Sequence, residues 1–340
     1  MSPSTIQEFG YENQQIHPRL NCFKHHSKKA EQTFAQEIAS SLNNSSKFIS
    51  PKFFYNDKGS QLFEKICDLP EYYLTRTEIK ILKQIQDDLG TFLTDNMRLV
   101  ELGSGSSVKT RLILDIFDKI QDKIEYFPID ISDILKDGCQ DLLSDYENLH
   151  VTGIIDTYHG GLEFIKHFDE NPNLIIFLGS SFGNFTPHDG INFLKKINSA
   201  MKESDFFLIG LDLVKEKQVL ENAYDDSKGI TAKFNLNVLS RINAELDADF
   251  ELKNFSHHAV FNESKQRIEM YLKSKSQQKI SIQKSNLEIE LQEDELIHTE
   301  HSHKYTIPQI EKMFDETGFE INRIWQDEKR HYALVLCSKN

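Results

Sequence analysis

Between Met97 and Val214 the chain repeats one pattern: a short run of consecutive apolar residues, a turn, then an amphipathic helical stretch. Five runs read as strands, at Arg98–Leu102, Glu125–Ile129, His150–Ile155, Leu174–Leu178 and Phe206–Leu211. Their apolar residues are continuous where a half-exposed strand would alternate, as strands covered on both faces of a parallel sheet require. In the intervening stretch Val108–Ile120, the residues Val108, Leu112, Ile116 and Ile120 share one helix face. Strand and helix in strict alternation predict a doubly wound α/β sheet with right-handed crossovers.

The flanks read differently. Residues 30–95 are helix-rich and carry two aromatic turns, FFYNDKGS and PEYYLTRTE. Residues 215–250 are helical, and 250–304 show strand patterns such as Arg267–Leu272, Lys279–Ile282 and Leu287–Leu291. The Gln/Lys/Ser-rich stretch Lys273–Ser285 reads as a hairpin with a solvated turn. A last helix, Ile307–Thr317, leads through Gly318 to strands around Ile321–Trp325 and Tyr332–Cys337, the antiparallel pair that closes a seven-stranded Rossmann-like sheet. The expected domains are therefore residues 77–214 plus 305–340, holding a cofactor, and residues 20–76 plus 215–304, a second α+β substrate-binding domain.

Composition narrows the partners. With 340 residues, 39% of them hydrophobic, the chain can build one large or two interlocked cores. A net charge of −14 argues against nucleic acid, which demands clustered Lys and Arg, and favours a small polar or zwitterionic substrate. Cys22, Cys67, Cys139 and Cys337 are scattered without metal or disulfide spacing and read as reduced packing residues. The amino-terminal MSPSTIQEFGYENQQ has no basic or apolar signal region, and the strongest apolar runs fall far short of the ~20 residues that span a bilayer. A cytoplasmic monomer with no membrane partner is the expectation.

The turn Glu101-Leu102-Gly103-Ser104-Gly105-Ser106-Ser107-Val108-Lys109 follows the first of the five strands and opens a helix. Two glycines there let the backbone turn tightly and approach a ligand, while the helix offers its first N–H groups. A dinucleotide site would want a third glycine where this chain has the branched Val108, so a nucleoside without a pyrophosphate fits better. Asp130 ends the next strand, where a carboxylate can accept both ribose hydroxyls; Asp156 ends the third, where it or Thr157 can accept from an adenine amino group. Each Asp alone could equally be a helix cap, and each Gly a simple turn residue. Jointly they point to S-adenosylmethionine as cofactor.

Longer strings are more specific. FFYNDKGSQLFEKICDLPEYYLTRTE, ELGSGSSVKTRLIL, PIDIS, FLGSSFGNFTP, AYDDSKGITAKFNLNVLSRINAEL, RIEMYL and TEHS run in order from about Phe53 to Ser302. With them the chain resembles the histidine Nα-methyltransferase family of ergothioneine biosynthesis, which uses S-adenosylmethionine to convert L-histidine to its trimethylbetaine, hercynine. The resemblance implies that Gly103, Lys109, Asp130, Asp156 and Thr157 contact the methyl donor, with Gly179 close to it. It also implies that Asn184 and Tyr224 hold the ends of the amino acid, that Tyr72, Glu300 and Ser302 grip the imidazole, that Tyr55 sits near the amine and that Met270 lines the side-chain pocket.

The chemistry of these residue types is coherent. A neutral imidazole offers one donor and one acceptor, which a carboxylate at Glu300 and a hydroxyl at Ser302 can both satisfy, and their spacing of two puts them on one face of an extended segment. The same alternation turns His301 and His303 to the other face, and with no completing Cys or His motif no metal site is expected in HTEHSH. Tyr72 and Tyr224 could also be packing aromatics, and Met270 a core filler. The competing functions are a methyltransferase of the same scaffold acting on tryptophan or a thiol-substituted histidine, and a cofactor-binding protein without catalysis. Nucleic-acid methylation is disfavoured by charge and by Gly183-Asn184-Phe185 in place of an Asn-Pro-Pro-aromatic motif.

Overall fold

The computed structural model describes residues 10–25, 33–105, 107–131 and 135–340. The chain divides into two compact units, one formed by Met1–Lys29, Thr77–Leu213 and Tyr305–Asn340, the other by Ala30–Arg76 and Val214–Lys304. No helix among the described residues is long and apolar enough to cross a membrane.

The first unit is built on a mixed sheet. Its strands are β1 (Tyr11–His17), β2 (Leu20–His25), β3 (Arg98–Leu102), β4 (Ile124–Asp130), β5 (Leu149–Ile155), β6 (Asn173–Phe177) and β7 (Phe206–Asp212), followed by the carboxyl-terminal pair Phe319–Gln326 and Tyr332–Lys339. The order is β1-β2-β5-β4-β3-β6-β7, then Tyr332–Lys339 and finally Phe319–Gln326 at the far edge. Strands β2 to β7 run parallel, and Tyr332–Lys339 joins β7 antiparallel. The helix Val108–Ile120 has the expected bounds, but the face it buries is Thr110, Ile113, Leu114, Ile116 and Phe117; of the four residues the spacing picked out only Ile116 is buried, and Val108 and Ile120 are exposed.

The sheet thus has nine strands, not the expected seven. β1 and β2 form an antiparallel hairpin that adds to the β5 edge, pairing Leu20 with Val151 and Lys24 with Ile155. Residues 20–25 consequently belong to the sheet and not to the substrate-binding domain where the sequence put them. The hairpin was hidden by the strand they pair with, β1. YENQQIH is an outermost strand with only Tyr11 buried, so it lacks an apolar face, as exposed sheet edges commonly do.

β3, β4, β5, β6 and β7 carry the core, where Val100, Phe127, Ile129, Ile154, Ile175, Phe177 and Ile209 pack together with the helices' apolar faces. Strand order reverses direction at β3, whose neighbours are β4 on one side and β6 on the other. In such sheets the crevice beyond the strand ends at that reversal is where ligands bind.

The second unit combines helices with two small sheets. Strands Leu296–His303, Arg267–Ser274 and Phe255–Asn262 pair antiparallel in that order. Gln278–Ile282 pairs separately with Leu287–Leu291. The hairpin therefore turns at Gln283–Asn286, where Asn286 takes the left-handed conformation at φ 47°, and does not lie within Lys273–Ser285. Lys273 and Ser274 instead finish the preceding strand.

The aromatic turn FFYNDKGS is a helix start. Asn56 caps the helix Asp57–Cys67 by accepting from Gly59 N at 2.8 Å. A Cβ on Gly59 would fall 1.7 Å from the Phe54 carbonyl oxygen, so glycine alone fits. Asn237, from the long helix Ile230–Leu246, donates to the same Asn56 oxygen at 2.9 Å and ties the two helices together.

Candidate active site

In the first unit, β3 delivers the chain into a turn in which Gly103 and Gly105 have φ of +75° and +48° and Ser107 a φ of 57°. These three left-handed residues, at alternate positions, bend the backbone out of the strand and into helix Val108–Ile120; Ser106 lies outside the described residues. A Cβ on Gly103 would stand 2.9 Å from Tyr158 Oη, whereas one on Gly105 would meet nothing within 4 Å. The turn is therefore packed on one side and open on the other. Beneath it Glu101 is buried, accepting from Tyr126 Oη at 2.5 Å and Thr110 Oγ1 at 2.8 Å, and burial pushes its carboxyl up to about 7.

Adjacent strand ends follow in register: Gly103 N donates to Ile129 O at 2.9 Å, and Asp156 N to Asp130 O at 3.0 Å. Gly103, Asp130 and Asp156 are thus neighbours along one edge of the sheet. Asp130 is close enough to Tyr158 to help burial raise that phenol to about 12. Asp156 accepts from Tyr11 Oη at 2.6 Å and from Thr157 N at 2.6 Å. Thr157 caps helix Tyr158–Phe168, its hydroxyl accepting from Gly160 N at 3.2 Å.

At the reversal between β3 and β6 sits Glu78, fully buried. Its carboxylate accepts from Gly179 N at 2.9 and 3.0 Å, from Tyr332 Oη at 2.8 Å and from Lys109 Nζ at 2.9 Å. Gly179 has a φ of +84°, and a Cβ there would lie 3.0 Å from Lys109 Nζ. Asn184 closes the following short helical turn, Ser181–Asn184, half-buried and with no hydrogen-bond partner for its side chain among the described residues.

The second unit gathers a different set. Strand pairing sets Glu300 directly opposite Met270, and cross-strand partners share a face. Glu300 is buried, and burial pushes its carboxyl up to about 7 against the opposing pull of the Lys304 ammonium. Ser302, one alternation on, accepts from Tyr224 Oη at 3.0 Å and from Lys304 Nζ at 2.9 Å. Lys304 Nζ also donates to Tyr224 Oη at 3.0 Å, closing a buried triangle.

Tyr224 ends helix Lys217–Tyr224, and its carbonyl accepts from His257 Nε2 at 2.8 Å. His257 Nδ1 in turn takes Asn235 Nδ2 at 2.9 Å, an arrangement that wants a neutral ring, and burial lowers its pKa accordingly. The Tyr72 ring lies 6.1 Å from that of Tyr224, edge to face, and burial beside Tyr224 and Glu300 pushes its phenol up. Tyr55 is exposed, its ring 5.8 Å from Phe234.

The family model for histidine-specific, S-adenosylmethionine-dependent methyltransferases matches residues 34–339. The chain belongs to that family. The histidine N-alpha-methyltransferases of Mycolicibacterium smegmatis and Mycobacterium tuberculosis are each 34% identical to it over 309 residues, covering 91% and 89% of this chain and 95% and 94% of theirs. An L-tryptophan methyltransferase of Psilocybe serbica is 27% identical over 292 residues, covering 79% of this chain and 81% of its own. The crystal structure of a Burkholderia thailandensis 1,6-didemethyltoxoflavin-N1-methyltransferase aligns over 97% of this chain and 99% of that one, at 9% identity and a TM-score of 0.42.

A histidine-specific methyltransferase needs a site for S-adenosylmethionine, and the first unit's residues fit one. The open side of Gly105 gives room beside the helix start, and Asp130 and Asp156 supply acceptors on the next two strand ends. Of the six residues expected at the cofactor, Gly103, Asp130, Asp156 and Thr157 line one sheet edge, and Lys109 and Gly179 meet at Glu78. The hydroxyl of Thr157 is engaged as a helix cap. Among the residues expected at the amino acid, Tyr72, Tyr224, Met270, Glu300 and Ser302 fall together in the second unit, with the exposed Tyr55 in the same unit; Asn184 belongs to the first.

Three polar groups escaped the sequence reading: Glu78, Tyr11 and Lys304. Glu78 ends the string PEYYLTRTE, and Lys304 stands two residues past Ser302, just beyond TEHS. Nothing in their spacing marks a buried charge. His298, His301 and His303 line up ring against ring, at centroid separations of 5.7 and 5.2 Å, and burial lowers His298 and His303 to about 4. Among the described residues no group of three or more His, Cys, Asp or Glu has the arrangement of a metal site.

Proposed function

We propose that the chain methylates the α-amino group of L-histidine, three times in succession, to give the trimethylbetaine hercynine. The observation that carries this reading is the buried pairing of a carboxylate, Glu300, with a hydroxyl, Ser302, on one strand face beside Tyr72 and Tyr224. A neutral imidazole, with one donor and one acceptor, matches that pair; an indole has a donor only and leaves the hydroxyl unanswered. The 34% identity to two histidine N-alpha-methyltransferases supports the same substrate over tryptophan or a thiol-substituted histidine. Retention of these polar groups also speaks for catalysis against mere cofactor binding.

We assign the cofactor to Gly103, Lys109, Asp130, Asp156, Thr157 and Gly179 of the first unit. The amino acid is assigned to Tyr72, Tyr224, Met270, Glu300 and Ser302 of the second unit, with Tyr55 and Asn184 orienting the amine. When bound, S-adenosylmethionine supplies a methyl group activated by the sulfonium. The chain's own work is then positioning. The amine must reach that methyl unprotonated; a peptide α-amino group has a pKa of about 8 and a free amino acid's is higher, so a minor neutral fraction near pH 7 is captured and aimed without an obligate base. Asn184 can accept an amine N–H through its side-chain oxygen and so aim the lone pair. The proton released in each round goes to solvent. With a net charge of −14, a free amino acid and not nucleic acid is the acceptor we infer, and we read the protein as a cytoplasmic monomer.

Calorimetry tests the residue assignment. Asn184→Ala and Tyr224→Phe should each weaken L-histidine binding about tenfold or more while leaving S-adenosylmethionine within about twofold. The reverse pattern would move both residues to the cofactor.

A further inference from the structure

Lys304 is among the most completely buried large side chains of the protein, at 2% exposure. Burying an ammonium is costly unless its donors are answered and its charge is opposed. Here Ser302 Oγ lies 2.9 Å away, Tyr224 Oη 3.0 Å away, and the Tyr224 ring face sits 4.8 Å from Nζ. Glu300 lies close enough for the ammonium to favour its ionised form.

An ammonium can only donate. Ser302 and Tyr224 must therefore both accept from Lys304. Between the two hydroxyls only one more bond is possible, and the phenol, the more acidic of the pair, donates to Ser302 at 3.0 Å. Both acceptor sites of Ser302 are then filled, from Tyr224 and from Lys304. Its own proton has to point out of the triangle.

We propose that Lys304 is a specificity-determining positioning residue, whose ammonium fills the acceptor side of the Tyr224–Ser302 hydroxyl pair and so fixes Ser302 as a donor to the acceptor nitrogen of a neutral imidazole. This rests on the reading that the second unit binds histidine. Glu300 then faces the ring N–H, so that the pair reads one tautomer of a neutral ring. A protonated imidazole, with two N–H groups, would set donor against donor at Ser302. An indole would leave the Ser302 proton buried with no acceptor. Lys304 touches none of the reacting atoms; it acts through Ser302.

The test uses the full chain saturated with S-adenosylhomocysteine and calorimetry of L-histidine against the two pyrrolylalanines, which keep one ring N–H and lack the acceptor nitrogen. Wild type should prefer histidine over both by about tenfold or more. Lys304→Met frees Ser302 to turn back toward Tyr224, so the preference should shrink to about twofold or less, with the cofactor product bound as before. Ser302→Ala should do the same, and the double variant should add nothing further. A Lys304→Met protein that binds the cofactor product and keeps the full preference would overturn the proposal, as would single effects that simply add. The wild-type comparison needs no variant and decides even if Lys304→Met does not fold, since equal binding of histidine and pyrrolylalanine removes the Ser302 donor. Wild type that binds no histidine at all would instead sink the substrate reading, and this proposal with it.

Discussion

Lys109 Nζ lies 2.9 Å from the carboxylate of Glu78, which is fully buried and whose two oxygens also hold the backbone N–H of Gly179. One carboxylate thus fixes residues from the turns after β3 and β6, the two strands flanking the reversal of the sheet. Glu78→Gln leaves the ammonium without its partner and puts an amide where three donors converge. Because Lys109 keeps some solvent access, the expected loss is about 1–3 kcal/mol, at the low end for breaking a buried pair. S-adenosylmethionine affinity should fall about tenfold by calorimetry, with L-histidine binding much less affected. Unchanged cofactor affinity would detach this hub from the cofactor site.

Tyr11 makes a comparable contact at the other end of the same edge, donating to Asp156 at 2.6 Å from the outermost strand. Tyr11→Phe removes a hydrogen bond to a charged acceptor, worth about 1.5–3 kcal/mol. The KM for S-adenosylmethionine should rise severalfold at constant kcat. A fall in kcat with no change in that KM would assign Tyr11 to something other than holding Asp156.

Gly103 combines a φ of +75° with a neighbour 2.9 Å from any added Cβ. Gly103→Ala is therefore strained in backbone and crowded against Tyr158, at a cost of about 1–3 kcal/mol. The turn must shift, and calorimetry should show cofactor binding lost or weakened more than tenfold, about 1.4 kcal/mol or more. Wild-type affinity in this variant would show that the ligand does not approach the turn.

Burial raises Glu300 from the ordinary carboxyl range to about 7, with Lys304 pulling against the rise and Tyr72 also facing it. The sign follows from proton counting. Between the unfolded and folded pKa the native state holds the extra proton, so stability falls as pH rises through that window. Glu300→Gln imitates the protonated carboxyl at every pH. Its unfolding midpoint relative to wild type should therefore climb between pH 5 and pH 8, by an amount equivalent to about 2–3 kcal/mol. A difference that stays flat across that range would mean Glu300 is ionised throughout.

Much of the architecture was legible because it rests on local pattern. Continuous apolar runs marked β3 to β7, and the helix after the glycine turn kept its bounds, but its buried face is centred on Ile113, Leu114 and Phe117 and not on the Val108–Ile120 stripe, because several apolar residues leave the stripe ambiguous until the sheet chooses a side. β1 was not legible, since an edge strand of Tyr-Glu-Asn-Gln-Gln-Ile-His buries only its tyrosine and carries no periodic signal. Nor was the turn of the Gln278–Leu291 hairpin, where polar residues on both sides of the true turn leave register to tertiary pairing. Glu300 and Ser302 could be picked out through family strings, but Lys304 could not. Lysine is almost never fully buried, and only the fold shows that this one meets Tyr224 across 80 positions of sequence.

The most direct measurement is mass spectrometry of products after incubating the purified chain with methyl-labelled S-adenosylmethionine and a mixture of L-histidine, its mono- and dimethyl α-amino forms, and L-tryptophan. Label should accumulate on the α-nitrogen of histidine up to three methyl groups, with the partly methylated forms consumed and tryptophan left behind. Transfer to tryptophan in preference to histidine, to a ring nitrogen of histidine, or to none of these acceptors would contradict the account.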